Sequence, residues 1–339
     1  MSSSVNTCAV NPPRPSLDRL TQHDSKRCAT SANRCLATSV PSWMTAIRGT
    51  SVEPRQSARV CLTSAWMGAA QPPQIECVVL SPHPDDAVLS VWHALVSGGG
   101  VRVVTVFAGI PEPGVATPLD RTRGATDAAA LMLRRRADDR AALALAGRTV
   151  THADLLEVNY QAAHMPEVQN AIERDPTRFV EIVAARPDLG TPAETIERAL
   201  GDWLAGDVVY APLGVGRHPD HRDVARLGLR LAARGRAVRL YADFPYLVRF
   251  GPPAWLGDGH QTRRADAQIE AAFAALGATP GDFERSVVEL TREQTDAKIA
   301  AFRRYETEFP LVDADFGGAT SDREQMRREV YWTPRSRVR

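Results

Sequence analysis

Between residues 75 and 306 short apolar runs alternate with stretches of helical period, and this alternation restricts the fold more than any other feature of the chain. The runs 77–80, 101–108, 207–212, 238–242 and 287–290 read as strands, most of them nearly continuous in apolar residues, as in a parallel sheet buried on both faces. Helical signals fall at 87–96, 123–147, 219–234, 265–276 and 291–306, the last opened by Thr291 and Gln294 at capping-box spacing. The expected class is α/β: a Rossmann-like, mostly parallel sheet with helices on both faces, in a single domain over 74–310. Residues 160–205 add helical segments near 166–174 and 192–204, separated by Pro176 and Pro187, and read as an insertion on the sheet. Residues 311–339 read as a polar C-terminal tail, poorly ordered as far as Trp332.

The N-terminal region has a different composition. Residues 1–74 carry eight Lys/Arg against three Asp/Glu, and four of the five cysteines, Cys8, Cys28, Cys35 and Cys61. These cysteines lack the paired C-x-x-C spacing of a zinc site. No apolar core of roughly 7–15 residues follows a basic start, so a signal peptide is not visible. Rich in Ser, Thr, Arg and Pro, residues 1–73 read as a low-order extension, with Met67 as an alternative start. The formal net charge of +1 and the lack of a basic helix argue against a nucleic-acid partner. No apolar run reaches the roughly 20 residues that a membrane span needs. Outside the extension only Cys77 remains, which suits a reducing, cytoplasmic setting. Oligomeric state stays open.

Two strand-to-helix junctions carry the chemistry. In the first, Glu76 to Trp92, the cluster His83-Pro-Asp-Asp86 lies between an apolar run and an apolar helix. In the second, Tyr210 to His221, a glycine-containing loop leads into His218-Pro-Asp-His221. Pro84 and Pro219 suit the first helical position, where a missing N–H costs nothing. Open α/β sheets bind ligands at the carboxyl ends of their strands, so the two junctions can converge across about 135 intervening residues. His218 and His221, three apart, share one face of a first turn. Two imidazoles and a carboxylate, with one position left open, make a catalytic zinc shell, and His83, Asp86 and His221 are the candidates. Zinc lowers the pKa of a water toward about 7. Asp85 is then free as general base, and His218 to donate to a developing oxyanion or to protonate a leaving amine. One such histidine alone would read as a cap or a surface residue, and Asp-Asp alone as an N-cap. Two such turns in one chain favour the metal site. His93, His152, His164 and His260 lack this company and read as structural or exposed.

With both signatures in place, roughly residues 75–310 resemble the PIG-L/LmbE-type deacetylases. The resemblance implies a zinc-dependent amidase that removes acetyl from N-acetylglucosaminyl and related substrates. His83, Asp86 and His221 would hold the metal, Asp85 would be the base and His218 its electrophilic partner. It also suggests three substrate contacts: Arg136 in Arg136-Ala-Asp-Asp139, read as opening an Ala-rich helix; Glu157; and Tyr246 in Asp243-Phe-Pro-Tyr246. A solvated charge run over Arg134 to Arg140 is the competing reading of the first. The chain departs from the commonest family signature with Ala87 in place of Glu after the paired aspartates, and with Val215-Gly-Arg217 where some members carry a tyrosine. The expected partner is a small N-acetylated sugar or glycoside. Alternatives are an amidase for another small N-acyl or thiol-conjugate substrate, or a zinc- or sugar-binding module without turnover. Segments 109–122, 160–205 and 243–260 are expected to line the mouth.

Overall fold

The structure is a computed structural model that describes residues 76–249, 253, 255–256 and 262–335. The expectations for residues 1–73 and its four cysteines, for Met67 and for His260 lie outside the described residues.

Five strands run parallel: β1 (Cys77–Ser81), β2 (Val101–Thr105), β3 (Val150–His152), β4 (Val208–Pro212) and β5 (Ala237–Tyr241). Two more, β6 (Phe283–Glu289) and β7 (Arg328–Pro334), complete a seven-stranded sheet in the order β3-β2-β1-β4-β5-β7-β6. β7 is antiparallel to both of its neighbours. From β1 the chain winds outward through β2 and β3, then returns to lay β4 and β5 on the other side of β1. The strand order therefore reverses between β1 and β4, and the crevice beyond their carboxyl ends is the switch point where such sheets bind ligands.

The period-two alternation of the strands supplies both faces of the core. Val78 and Leu80 pack with Val104, Val209, Leu227 and Phe273 on one face. Val79 packs with Val88, Trp92, Phe302 and Tyr305 on the other. Each inner strand is thus apolar in both directions, which is why it reads as a continuous run.

Two local expectations are corrected. The helix expected over 87–96 is broken at Val91 (φ −136°) into Asp86–Ser90 and Trp92–Val96. The backbone N–H groups of Trp92 and His93 donate to the Glu329 carboxylate at 2.8 and 2.9 Å, so a distant strand caps the second piece. Pro84 does not open the helix: Asp85 is its N-cap residue, at φ 110°. The second correction concerns residues 311–335. They are not a polar tail but carry the end of the helix Phe309–Asp315, the turn Arg323–Met326 and the strand β7, whose Val330, Tyr331 and Trp332 are buried. β7 inserts between β5 and β6, so the sheet is incomplete without it.

Candidate active site

The turn after β1 is built on Ser81. Its hydroxyl donates to the His83 carbonyl at 2.7 Å and accepts the Ala87 N–H at 3.0 Å, which folds residues 82–86 back over the strand end. The His83 N–H donates to Asp86 Oδ2 at 2.8 Å. After β4, His218 is the N-cap residue of the helix Pro219–Ala233, with Pro219 at its start as expected. Asp220 and His221 thereby enter the first turn, facing the first junction across the switch point.

Three atoms meet there. His83 Nδ1 lies 3.2 Å from His221 Nε2, His221 Nε2 lies 3.3 Å from Asp86 Oδ2, and His83 Nδ1 lies 3.5 Å from the same oxygen. Ligand atoms held about 2.0–2.1 Å from a tetrahedral zinc ion stand about 3.3 Å from one another. The triangle therefore already has the edges that one ion requires, without movement of the backbone. Nitrogens of His83, His218 and His221 also lie within 4.8 Å of one another. That all-histidine set is looser than the triangle containing Asp86, whose edges match the spacing around a zinc ion.

Both imidazoles are backed by a carboxylate on their other nitrogen. His83 Nε2 pairs with Asp220 Oδ2 at 2.9 Å, and His221 Nδ1 with Asp243 Oδ1 at 2.6 Å. These bonds fix the tautomers that leave His83 Nδ1 and His221 Nε2 free for a metal. Asp243 is itself held by the N–H groups of Gly214 and Val215, at 2.7 and 2.8 Å, and Asp220 by that of Val158 at 3.1 Å. Burial opposes a charge on His83, but Asp220 and Asp86 outweigh it and raise its pKa well above the ordinary histidine value. Burial raises the Asp86 carboxyl, and the neighbouring His221 and His83 overcome this to bring it below its usual value.

Asp85 borders the cleft beside this triangle. Burial, then the charges of Asp86 and Glu308, push its carboxyl well above the normal carboxylate range. A divalent cation next to it would act in the opposite direction. His218 sits with its ring centroid 4.8 Å from that of His83 and 5.3 Å from that of His221, and its Nδ1 is buried without a hydrogen-bond partner. Burial, reinforced by the charges of His83 and His221, holds its pKa well below the usual value, so the ring is neutral near pH 7.

The three outer residues are placed differently from one another. Glu157 lines the cleft and is ion-paired with Arg135. Tyr246 lines it too, edge-on to His221 with centroids 5.8 Å apart. Its ring packs on Gly216, where a Cβ would stand 2.5 Å from Tyr246 Cδ1. Arg136 is not in the cleft: it donates to the Ala108 carbonyl at 2.6 Å and to Asp154 at 2.7 Å. Its neighbour Arg135 lines the cleft instead. One residue is about 100° of rotation on a helix, and the helix begins at Ala128, well before this motif rather than at it.

The cleft has a volume of about 360 Å³. The expected mouth segments contribute Leu119, Phe179 and Pro245 among others, but Glu308, Val312 and Phe316 come from the segment expected to follow the domain or to close it. Arg123, Arg135, Glu308, Asp220 and Asp243 were not among the expected site residues. The last two stood inside the quoted motifs, one position from a histidine or at a strand end; the first three had no local signal.

The model of the PIG-L family, described as GlcNAc-PI de-N-acetylase, matches residues 78–232, which span both junctions. A 2'-N-acetylparomamine deacetylase of Niallia circulans is 27% identical over 245 residues, covering 65% of this chain and 84% of that protein. Among solved structures, a deacetylase–bog complex from the biosynthesis pathway of teicoplanin superposes with a TM-score of 0.54 at 23% identity, and the zinc-inhibited form of a teicoplanin deacetylase with 0.52 at 22%. Each covers 78% of this chain and 100% of its own, and they share its fold. The protein is thus an amidohydrolase of the deacetylase kind. Residues 78–232 of the chain are of the PIG-L (LmbE-like) family.

Proposed function

We propose that the protein removes the N-acetyl group from an N-acetylated amino sugar or a glycoside that bears one, with zinc held by His83, Asp86 and His221. The observation that carries the reading is the triangle of ligand atoms with edges of 3.2, 3.3 and 3.5 Å, two of them on carboxylate-backed imidazoles. The family and the paromamine-deacetylase relative support an N-acetylated sugar as substrate. So does a cleft that joins charged and polar groups with the apolar surfaces of Phe179 and Phe316.

A bound zinc ion would supply Lewis acidity, polarising the amide carbonyl and making a water acidic near pH 7. Asp85 would serve as the general base, taking a proton from the water that attacks the carbonyl carbon. His218, neutral and without a partner on its buried nitrogen, faces the same centre and donates to the oxygen where negative charge develops. As the C–N bond breaks, the proton held by Asp85 passes to the leaving amine, so acetate and a free amine result. Asp220 and Asp243 keep the two imidazoles oriented throughout.

The test is a panel of N-acetyl, N-propionyl and longer N-acyl glucosamine derivatives and glycosides, scored for free amine with the protein loaded with zinc or another divalent ion. Amine release from the N-acetyl sugars that stops on chelation and returns with metal is expected. Release only from amides that carry no sugar, or undiminished release after chelation, would overturn the proposal.

A further inference from the structure

One wall of the cleft is a buried ion-pair chain. Glu308, 3% exposed, takes two guanidinium groups at once. Arg123 donates to it through Nε at 2.9 Å and Nη2 at 3.1 Å, and Arg135 Nε lies 2.9 Å from Glu308 Oε1. The other side of Arg135 pairs with Glu157. All four groups line the cleft, and two cations are matched by two anions.

Glu308 is not free to leave this position. The segment that carries it is stapled to one face of the helix Ala128–Ala144. Tyr305 donates to Asp139 at 2.7 Å, the Thr307 hydroxyl donates to Asp138 at 3.1 Å, and Glu308 meets Arg135. Positions 135, 138 and 139 are i, i+3 and i+4, neighbours on one helical face. Asp139 is further fixed to the sheet by Thr105 at 2.7 Å and His152 at 2.9 Å.

We infer that Glu308 is a specificity-determining residue: by cancelling and aiming the charges of Arg123 and Arg135, it makes this wall select neutral, hydroxyl-bearing sugars over anionic ones. The inference rests on the reading of the site as a sugar amidohydrolase. A guanidinium whose charge is met by a buried carboxylate still has N–H groups to offer a sugar hydroxyl, but it offers little net attraction to a phosphate. With Glu308 made neutral, the same wall carries a surplus positive charge and becomes an anion site.

The experiment compares N-acetylglucosamine with N-acetylglucosamine 6-phosphate on wild type, Glu308→Gln and Glu308→Asp, reading kcat and KM separately. Equilibrium binding of the same two sugars to metal-free protein supplies a readout without turnover. Wild type should prefer the neutral sugar. Glu308→Gln should raise KM for the neutral sugar by about tenfold, the effect of losing one charge-assisted contact. It should also shift the phosphate-to-neutral preference by tenfold or more toward phosphate, in binding as in kcat/KM. Glu308→Asp should keep the wild-type preference. The double variant Arg123→Gln/Glu308→Gln, balanced again, should return toward neutral selection; if Glu308→Gln does not fold, Arg123→Gln alone, which leaves surplus negative charge on the wall, should move the preference further from phosphate. An unchanged preference ratio in the single variant, or an equal fall in kcat on both sugars, would overturn the inference while leaving the amidase reading intact. Wild type that cleaves and binds neither sugar would overturn that reading, and this inference with it.

Discussion

Asp85 stands at φ 110°, a region that L-residues rarely occupy, between two residues of the candidate ligand set. Such a backbone costs on the order of 1–3 kcal/mol and persists only where its surroundings impose it. Here the Ser81 hydroxyl closes the turn on both sides of Asp85, and the Asp85 carbonyl accepts the Leu89 N–H at 3.0 Å. The strain and the proposed base therefore fall on one residue, and two substitutions separate them. Asp85→Ala and Asp85→Gly should both retain zinc by elemental analysis and lose about 10²–10⁴-fold in turnover, the usual contribution of a general base. Urea unfolding should find Asp85→Gly the more stable of the two by about 1 kcal/mol, because only glycine occupies this region freely. Equal stabilities would mean that the turn relaxes in the variants. Asp243 acts one bond further out. Asp243→Asn should weaken zinc binding about 10–100-fold, measured by competition with a chromogenic chelator, since it removes the carboxylate that sets the His221 tautomer. Unaltered affinity would leave Asp243 with a role only in holding the loop at Gly214 and Val215.

At the scale of elements, the strand β7 ties the C-terminal segment to the first helices. Its Glu329, 3% exposed, accepts from the N–H groups of Trp92 and His93, from Tyr331 at 2.7 Å and from the wholly buried Lys298 at 2.8 Å. One carboxylate thus caps a helix that has no cap of its own and neutralises a cation beneath the sheet. Burial lowers the pKa of Lys298, and Glu329 is the charge that opposes this. Glu329→Ala would leave an unpaired buried ammonium and two uncapped N–H groups, a loss of about 3–5 kcal/mol in chemical denaturation. The double substitution Glu329→Leu/Lys298→Met, which removes both charges, should recover much of that loss. A single variant as stable as wild type would show that water reaches Lys298. The helix Ala128–Ala144 shows the same economy on the catalytic side: Arg135 points to the cleft, Asp138 and Asp139 hold the segment 305–307, and Arg136 faces the loop after β2.

For the whole molecule, the site closes only when both ends of the described region are in place. The turn after β1 supplies His83, Asp85 and Asp86 near its beginning, while Glu308, Val312 and Phe316 complete the wall near its end. A chain cut after residue 308 would lose β7, leave β5 and β6 without their shared partner and expose the faces that Tyr331 and Trp332 cover. Its thermal unfolding should lose cooperativity, and it should bind no zinc; a truncated chain with a wild-type melting curve would contradict this account of the sheet. In the intact protein a bound metal would add stability by mass action, about 2.7 kcal/mol at a free concentration one hundred times its Kd. For a domain of this size that is a shift of roughly 5–10 °C in melting temperature on chelation, read by calorimetry. No shift would mean that no metal binds with useful affinity.

The chain's own order of residues determined the parallel sheet and the two strand-to-helix junctions, because each is written locally. Apolar runs mark buried strands, a proline marks the start of the helix after β4, and histidines and aspartates cluster at the strand ends. Only the tertiary structure decided the rest. Which of Arg135 and Arg136 faces the cleft depends on the rotation of a helix whose surroundings come from elsewhere in the chain. That Arg-Glu-Val-Tyr-Trp-Thr-Pro is an inner strand and not a tail depends on two partners, β5 and β6, that it meets only in space. The carboxylates behind His83 and His221 likewise gain their roles from distances, since an aspartate in a motif has no tautomer to set until an imidazole stands 2.9 or 2.6 Å away. Local pattern fixes what a segment can become, and long-range contact fixes what it faces.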